Sequence, residues 1–441
     1  MSNTKPLESS PQHFQHDITE LGLHDMRYRI DVPFGISALD RRQHLYIIGR
    51  TGTGKSTLLL NLFAEDVAKG RGVALIDPHG DLAQQALGLI PPERSHSVVY
   101  INPADLEFPV GLNVLENIPF DQRAALASSI VAAFKNLWSS SWGPRLEHIL
   151  YNSVALLLDQ EDTSLVSMVR LLDDKAYRTR LIKNARDPIV QRFWEVEYPT
   201  LVADIGTEVL QPLQNKLGAL IGAPALRNII GQVRSTFSPR HLMDNNQILI
   251  ANLSKGLIGE THASLLGALL VNTFGHTAMS RADQQEHDRT DFFLLVDEFQ
   301  NFTTDAFAIL LSEARKYRLC MTLTNQYLEQ LPDITRAAIL GNVGSMIVYR
   351  VSAGDAKILA PELSLHNDVE SLTLLDRGHT RARLLNYGEI QETVFGRMHP
   401  PPRPSDKIAQ LIIDRSRRHF TRPRAEVEDK LERFLRPERA N

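Results

Sequence analysis

Gly49-Arg50-Thr51-Gly52-Thr53-Gly54-Lys55-Ser56-Thr57 is the stretch from which the rest of this chain is read. Before it runs His44-Leu45-Tyr46-Ile47-Ile48, short and apolar enough for a buried strand; after it, Leu58-Leu59-Leu60-Asn61-Leu62-Phe63 opens a helix. Glycine, four residues, then Gly-Lys-Ser between a strand and a helix is the P-loop pattern. Glycines let the backbone curl so that successive N–H groups face a phosphate, and the helix N-terminus adds its positive dipole end. Lys55 is then expected to reach the β- and γ-phosphates, and the Ser56 hydroxyl to ligate Mg²⁺. The nine residues from Gly49 to Thr57 are expected to form a nucleoside-triphosphate cradle.

Composition sets the bounds around that cradle. The chain has 441 residues, 43% of them hydrophobic, enough for a large core and more than one domain. A formal net charge of −4 supplies no global basic field, so any nucleic-acid contact must be local. The single cysteine, Cys320, excludes a disulfide framework. The first residues are polar, unlike a signal peptide, and the apolar run Ala263 to Val271 is too short to span a bilayer. The expectation is a soluble, cytoplasmic protein.

The chain in order alternates strand and helix. Residues 1–24 read as a loose polar tail. Tyr28 to Val32 alternates as a strand, and Pro33-Phe34-Gly35 reads as a turn toward the P-loop. Lys69-Gly70-Arg71-Gly72 ends the P-loop helix, and buried strands follow at Val73–Asp77 and Val98–Ile101. This rhythm predicts an α/β fold with a mostly parallel central sheet, its ligand at the carboxyl ends of the strands. Asp77, His79 and Asp81 fall just past such an end. They could face nucleotide or Mg²⁺, but the favoured reading is a turn whose Asp81 caps the next helix.

From residue 118 to 236 the pattern is helical and strand-poor, with Leu126, Ile130, Phe134 and Leu137 on one face. It reads as an all-α insertion, a lobe separable from the nucleotide site, with Trp138, Trp142 and Trp194 favoured as core anchors over base-stacking platforms. The expected divisions are a tail at 1–24, a motor at 25–117 and 237–400 split by the insertion at 118–236, and a basic linker with a C-terminal helix at 401–441. The cluster Arg415, Arg417, Arg418, Arg422 and Arg424 is favoured as solvated charge over a DNA or partner contact.

Phe292-Phe293-Leu294-Leu295-Val296-Asp297-Glu298 is the second chemical landmark. An apolar strand ending in Asp-Glu is a Walker B pattern. Asp297 would hold Mg²⁺ with Ser56, and Glu298 would orient and polarise the attacking water. Gln326 closes the next strand, where its amide could sense the γ-phosphate. Arg315 ends the intervening helix, and the pattern leaves open a surface cation or an arginine finger reaching a neighbouring subunit.

Together these residues resemble the HerA/FtsK superfamily of ring-forming DNA-pumping ATPases, and most closely the TraG/TraD-type coupling ATPases of conjugation and type IV secretion. The resemblance is carried by Tyr46-Ile47-Ile48-Gly49 with the P-loop, Ile76-Asp77-Pro78-His79-Gly80-Asp81, Leu295-Val296-Asp297-Glu298-Phe299, Ser312-Glu313-Ala314-Arg315-Lys316-Tyr317 and Thr324-Asn325-Gln326. It implies a RecA-like P-loop NTPase fold with an all-α insertion, ATP and Mg²⁺ as cofactors, and DNA as substrate. It also implies Arg315 as finger and Gln326 as γ-phosphate contact. Each site would be completed by a neighbour in a ring, expected to be a homohexamer. Membrane-bound coupling proteins carry N-terminal transmembrane helices, and none is legible here. The expectation is therefore a cytoplasmic motor that partners recruit to the inner membrane, relaxosome or secretion-channel proteins among them. The competing readings are an ATPase for protein export or assembly without DNA, and a nucleotide-switched adaptor that hydrolyses negligibly.

Overall fold

The computed structural model describes residues 17–24, 32–206, 208, 210–366 and 368–436. Its strands in chain order are β1 (Ile18–His24), β2 (Val32–Ser37), β3 (Leu45–Ile48), β4 (Gly72–Asp77), β5 (Val98–Ile101), β6 (Ile248–Asn252), β7 (Phe292–Val296), β8 (Leu319–Asn325), β9 (Ser345–Val348), β10 (His379–Arg383), β11 (Leu385–Asn386), β12 (Glu389–Ile390) and β13 (Val394–Met398). β11 and β12 form a small hairpin. The other strands make one 11-stranded sheet in the order β2-β1-β13-β10-β9-β3-β8-β7-β4-β6-β5. From β9 to β5 every pairing is parallel. From β9 outward to β2 every pairing is antiparallel.

The parallel part forms because its strands are apolar on both faces, and helices then cover both. Alternation divides the side chains. Tyr46, Ile48, Ala74, Ile76, Leu294 and Val296 point into one core, and Leu45, Ile47, Val73, Leu75, Phe293 and Leu295 into the other. Helix Glu260–Ser280 covers the first face; helices Lys55–Ala68 and Asp81–Leu87 cover the second. The expected α/β fold with a mostly parallel sheet is the fold observed.

Several expectations are corrected. Ile18–His24, placed in the tail, is strand β1, paired with β13 and β2, and Pro33-Phe34-Gly35 continues β2 instead of turning. Tyr28 to Asp31 of the expected strand lie outside the described residues. The tail beyond residue 401 carries two helices, Asp406–Phe420 and Arg424–Leu435. The first lies on β5, a sheet edge: Tyr100 N donates to Ser416 Oγ (2.8 Å) and Arg417 to Asp105 (2.7 Å). Covering that edge removes an unpaired strand from solvent. The second packs on the helical block, with Val427 and Leu431 buried and Phe434 edge-on to Tyr177 at 5.8 Å. Four of the five cluster arginines are spent on these contacts: Arg415 on Ser95, Arg417 on Asp105, Arg422 on Gln232 and Arg424 on Glu107 and Glu428. Arg418 bonds Asp414 O of its own helix (3.1 Å) and is exposed, as solvated charge is.

Among the described residues no strand lies between β5 and β6; the chain there is helical. That block is not a separately cored lobe. Leu126, Ile130 and Phe134 of helix Arg123–Leu137 share one buried cluster with Tyr46 and Leu294 of the sheet. Helix Glu260–Ser280 is the shared wall: His276 Nε2 stands 3.1 Å from Ser129 Oγ. Burial within that wall pulls the His276 imidazole down to about 4. Trp194 is fully buried and donates to Asn152 O (3.1 Å), as a core anchor does; Trp138 and Trp142 are half-buried against the same core. No helix among the described residues is long and apolar enough to cross a membrane.

At the amino-terminal edge of the sheet, Arg41 makes a two-pronged bond to Asp66 (2.6 and 2.8 Å) and lies 4.0 Å over the Phe293 ring. Arg71 adds a third bond to Asp66 (2.9 Å). Arg41 and Asp66 are 1% and 0% exposed, so removing one partner strands a charge where water cannot reach it. Asp66→Ala is expected to destabilise the fold by about 3–5 kcal/mol, read from the midpoint of urea unfolding. A change under about 1 kcal/mol, the range of an exposed pair, would contradict this account.

Candidate active site

The parallel strands all end at one edge, and the site is assembled there. β3 runs into the P-loop, with Ile48 paired to Asn325 of β8 and Val348 of β9. Gly49 is required by close approach, since a Cβ there would stand 2.5 Å from Tyr349 Cβ. Gly54 is required by its φ of +126°, and its carbonyl accepts from Tyr349 Oη (3.2 Å). Thr53 Oγ1 closes the curl onto Arg50 O (2.7 Å). Helix Lys55–Ala68 starts directly after, so its first amides open toward the cavity. Lys55 is buried, and its Nζ donates to Gly49 O (2.6 Å) and Arg50 O (3.2 Å) inside the loop. Burial lowers its affinity for the proton, against the pull of Asp297 and Glu298.

Asp297 and Glu298 follow β7, which is two strands from β3 because β8 lies between them. Thr324 of β8 fastens the pair: its hydroxyl donates to Asp297 Oδ1 (2.6 Å) and accepts from Glu298 N (3.2 Å). Glu298 takes a left-handed conformation, φ +43°, unusual for a residue with a side chain. That turn aims its carboxylate along the edge of the sheet. Gln326 Nε2 donates to Glu298 Oε1, His79 Nε2 stands 2.8 Å from Oε2, and Lys255 Nζ is 3.9 Å away.

Two adjacent carboxylates are thus driven in opposite directions. Burial raises Asp297 to about 6, with Asp77 and Glu298 adding like charge and Thr324 opposing. Burial raises Glu298 as well, but the bonds from His79 and Gln326 outweigh it and bring it down to about 2. His79 is raised in return, chiefly by its bond to Glu298.

The P-loop and these groups line one cavity of about 480 Å³, bounded by Thr51, Gly52, Gly54, Lys55, Ser56, Thr57, Asp77, His79, Asp81, Asp297, Glu298, Gln326 and Arg377, among others. So Lys55, Ser56, Asp297, Glu298 and Gln326 are brought together as expected. Gly49, Arg50 and Thr53 shape the loop behind the lining. Arg315 is not brought in. It sits on the turn Ala314–Tyr317 before β8, at the amino-terminal edge, while the cavity is at the carboxyl edge. The seven residues of β8 separate the two by roughly 20 Å at about 3.3 Å per residue.

The turn after β4 also differs from expectation. Asp77, not Asp81, satisfies the helix start, accepting from His79 N (2.8 Å), Gly80 N (2.9 Å) and Ala83 N (2.8 Å). His79 was read as able to face the nucleotide but not as a partner of Glu298, and Arg377 was not singled out. His79 had a signal in its place just past a strand end, whereas Arg377 is brought in by antiparallel pairing, which leaves no local mark.

The residues fit a magnesium–nucleotide. Gly52, Gly54, Lys55 and Ser56 amides make no hydrogen bond to any described acceptor, and unspent N–H groups in a curled loop at a helix N-terminus suit an anion. Ser56 and Asp297 offer hard oxygen ligands, and no cluster of three His, Cys, Asp or Glu among the described residues could hold a metal alone. Such a set suits an ion that takes most of its ligands from phosphate and water, as Mg²⁺ does.

A P-loop followed by a parallel sheet with one strand inserted before the Asp-Glu strand defines the fold of a P-loop NTPase. The family model of the type IV secretion-system coupling protein DNA-binding domain matches residues 31–374. The chain belongs to that family. Similar solved structures include the plasmid coupling protein TrwB in complex with ADP and Mg²⁺ (15% identity, TM-score 0.59, 89% of this chain and 97% of that one). An unbound form of the conjugative coupling protein TrwB also matches (16%, TM-score 0.58, 85% and 89%). So does VirB4 of Thermoanaerobacter pseudethanolicus (14%, TM-score 0.59, 87% and 96%). No curated protein matches the chain.

The Asp297 shift predicts a pH effect. Its folded value of about 6 exceeds the ordinary 3.8, so the folded chain holds the proton more tightly than the unfolded one. Ionising it therefore costs stability, progressively as pH rises from about 4 to about 6, by on the order of 2–3 kcal/mol. Asp297→Asn should be more stable than wild type at pH 8 without divalent cation, with the difference vanishing near pH 4. Urea unfolding at the two pH values checks this; an equal gain at both would assign the effect to packing.

Proposed function

We propose that this protein is an ATP-hydrolysing motor that translocates DNA, serving conjugative transfer or type IV secretion. The observation that carries the reading is the meeting of Lys55 and Ser56 with Asp297, Glu298 and Gln326 in one cavity. Family membership supports DNA as the substrate. The TrwB complexes with ADP and Mg²⁺ and with a non-hydrolysable ATP analogue support the cofactors.

In this reading the P-loop amides and Lys55 hold the β- and γ-phosphates, and Ser56 and Asp297 hold Mg²⁺, which neutralises and orients phosphate oxygens when bound. Glu298 orients the attacking water. A carboxylate brought down to about 2 is a weak base, so it acts by positioning and polarising the water more than by removing its proton early. That suits a loose phosphoryl-transfer transition state. Gln326 holds Glu298 in place and can exchange that bond for the γ-phosphate.

Arg315 lies far from its own cavity, exposed and at the opposite edge of the sheet. In a closed ring, most simply a homohexamer, one heterologous interface would bring it to the neighbour's nucleotide. There it would stabilise transition-state charge worth on the order of a thousandfold or more in rate. Relaxosome and secretion-channel proteins are the partners that would bring DNA to such a ring and the ring to the inner membrane.

Turnover should rise with DNA and vanish in Lys55→Ala, while Glu298→Gln binds nucleotide and does not hydrolyse it. Steady-state rates with and without single- and double-stranded DNA, alongside nucleotide binding, test this. Full turnover unaffected by DNA would favour protein export. Wild-type turnover in Glu298→Gln would remove Glu298 from its role.

Mixing Lys55→Ala with Arg315→Ala tests the ring. If Arg315 acts on a neighbour, some interfaces in mixed rings pair an intact P-loop with an intact Arg315, and activity partly returns. No recovery in rings shown to exchange subunits would exclude the trans role.

A further inference from the structure

The cavity is rich in carboxylates: Asp77, Asp81, Asp297 and Glu298 all line it. A polyanionic ligand there needs compensating cations, and Lys55 is placed to serve one end of it. Arg377 is the other permanently charged cation in the lining. It precedes β10, and β10 runs antiparallel to β9, with Arg381 opposite Val348. The amino end of β10 therefore falls at the edge where the parallel strands end.

The backbone beside Arg377 is fastened on both sides. Gly378 N donates to Thr53 O of the P-loop (3.0 Å), and Met398 N, at the end of β13, donates to Gly378 O (2.9 Å). Gly378 itself has a φ of +81°, a conformation that favours glycine. So the position of Arg377 is tied to the curl of the P-loop, while its side chain is exposed and makes no hydrogen bond or ion pair among the described residues. A guanidinium held at the mouth of a phosphate cradle, with its donors unspent, is set to meet an anion.

We infer that Arg377 binds the non-transferred phosphates of the nucleotide, in the same chain that supplies the P-loop. The flanks of the site decide which phosphates. Glu298 and Gln326 stand on the β7–β8 flank, so the γ-phosphoryl that meets the water lies there. Arg377 stands beyond β3 and β9, on the opposite flank of the loop. It therefore faces the end of the nucleotide away from the reacting phosphorus. Arg377 and Arg315 would divide the work: Arg377 holds the ligand within the chain, and Arg315 acts across the interface.

The inference rests on the nucleotide reading above, and the experiment separates the two. Wild type, Arg377→Ala and Arg377→Lys are titrated with ADP and with a non-hydrolysable ATP analogue at several salt concentrations. Arg377→Ala should lose affinity for both nucleotides alike, by roughly tenfold. It should also show a shallower dependence of binding on salt, because one charge contact is gone. Arg377→Lys should recover part of both effects. An unchanged ADP affinity in Arg377→Ala, or a loss confined to the ATP analogue with a fall in turnover, would overturn the assignment. A wild type that binds neither nucleotide would overturn the ATPase reading and this inference with it.

Discussion

The register of the parallel ladder is the constraint on which the rest of this structure depends. Ile48 stands opposite Asn325 and Val348, and Val296 opposite Leu323 and Ile76. Those pairings bring the P-loop, Gln326, the Asp-Glu pair and Asp77 to one edge. Side chains on a strand alternate faces with a period of two, so a slip of one residue in β7 would turn Asp297 away from Lys55. Burial on both faces makes such a slip costly, because Phe292, Leu294 and Val296 would exchange cores with Phe293 and Leu295. Hydrophobic packing thus secures the geometry of a polar site.

Within that frame, neighbouring groups acquire unlike chemistry from their surroundings. Asp297 is buried against Asp77 and has one hydroxyl donor, so its charge is poorly compensated without a cation. Glu298, one residue on, turns through a left-handed backbone into the company of His79, Gln326 and Lys255. One carries a charge that its neighbours leave poorly compensated, the other is held ionised. The coupling extends outward, since His79 and Lys255 stand after different strands, β4 and β6. Movement in either turn would change what Glu298 can hold.

Two features close the structure at its margins. The antiparallel strands β10, β13, β1 and β2 extend the sheet past β9, and their reversed direction returns chain ends to the ligand edge. The C-terminal helices seal the other margin, one lying on β5 and the next on the helical block. The tail thereby links the sheet to the helices inserted between β5 and β6, which already share its core through helix Glu260–Ser280. The nucleotide edge and the helical block belong to one packed body.

Much of this was legible in the sequence. Gly49 to Thr57 and Phe292 to Glu298 specified a phosphate cradle and its acidic partner, because glycine conformations, an apolar strand and a terminal carboxylate pair are written contiguously. Periodicity likewise announced the parallel α/β rhythm and the helical run after β5. Strand order, by contrast, arises from pairing between residues far apart in the chain. The insertion of β8 between β3 and β7, the bond from His79 to Glu298 and the distance of Arg315 from its own cavity left no local trace. Arg377 shows this most clearly: an unremarkable arginine in a loop reaches the cradle only because β10 runs against β9. The sequence by itself determined which chemistry the chain carries, since motif residues act through their own backbone and side chains. Only the tertiary structure decided which charges meet, because that depends on the order and direction in which distant strands find their partners.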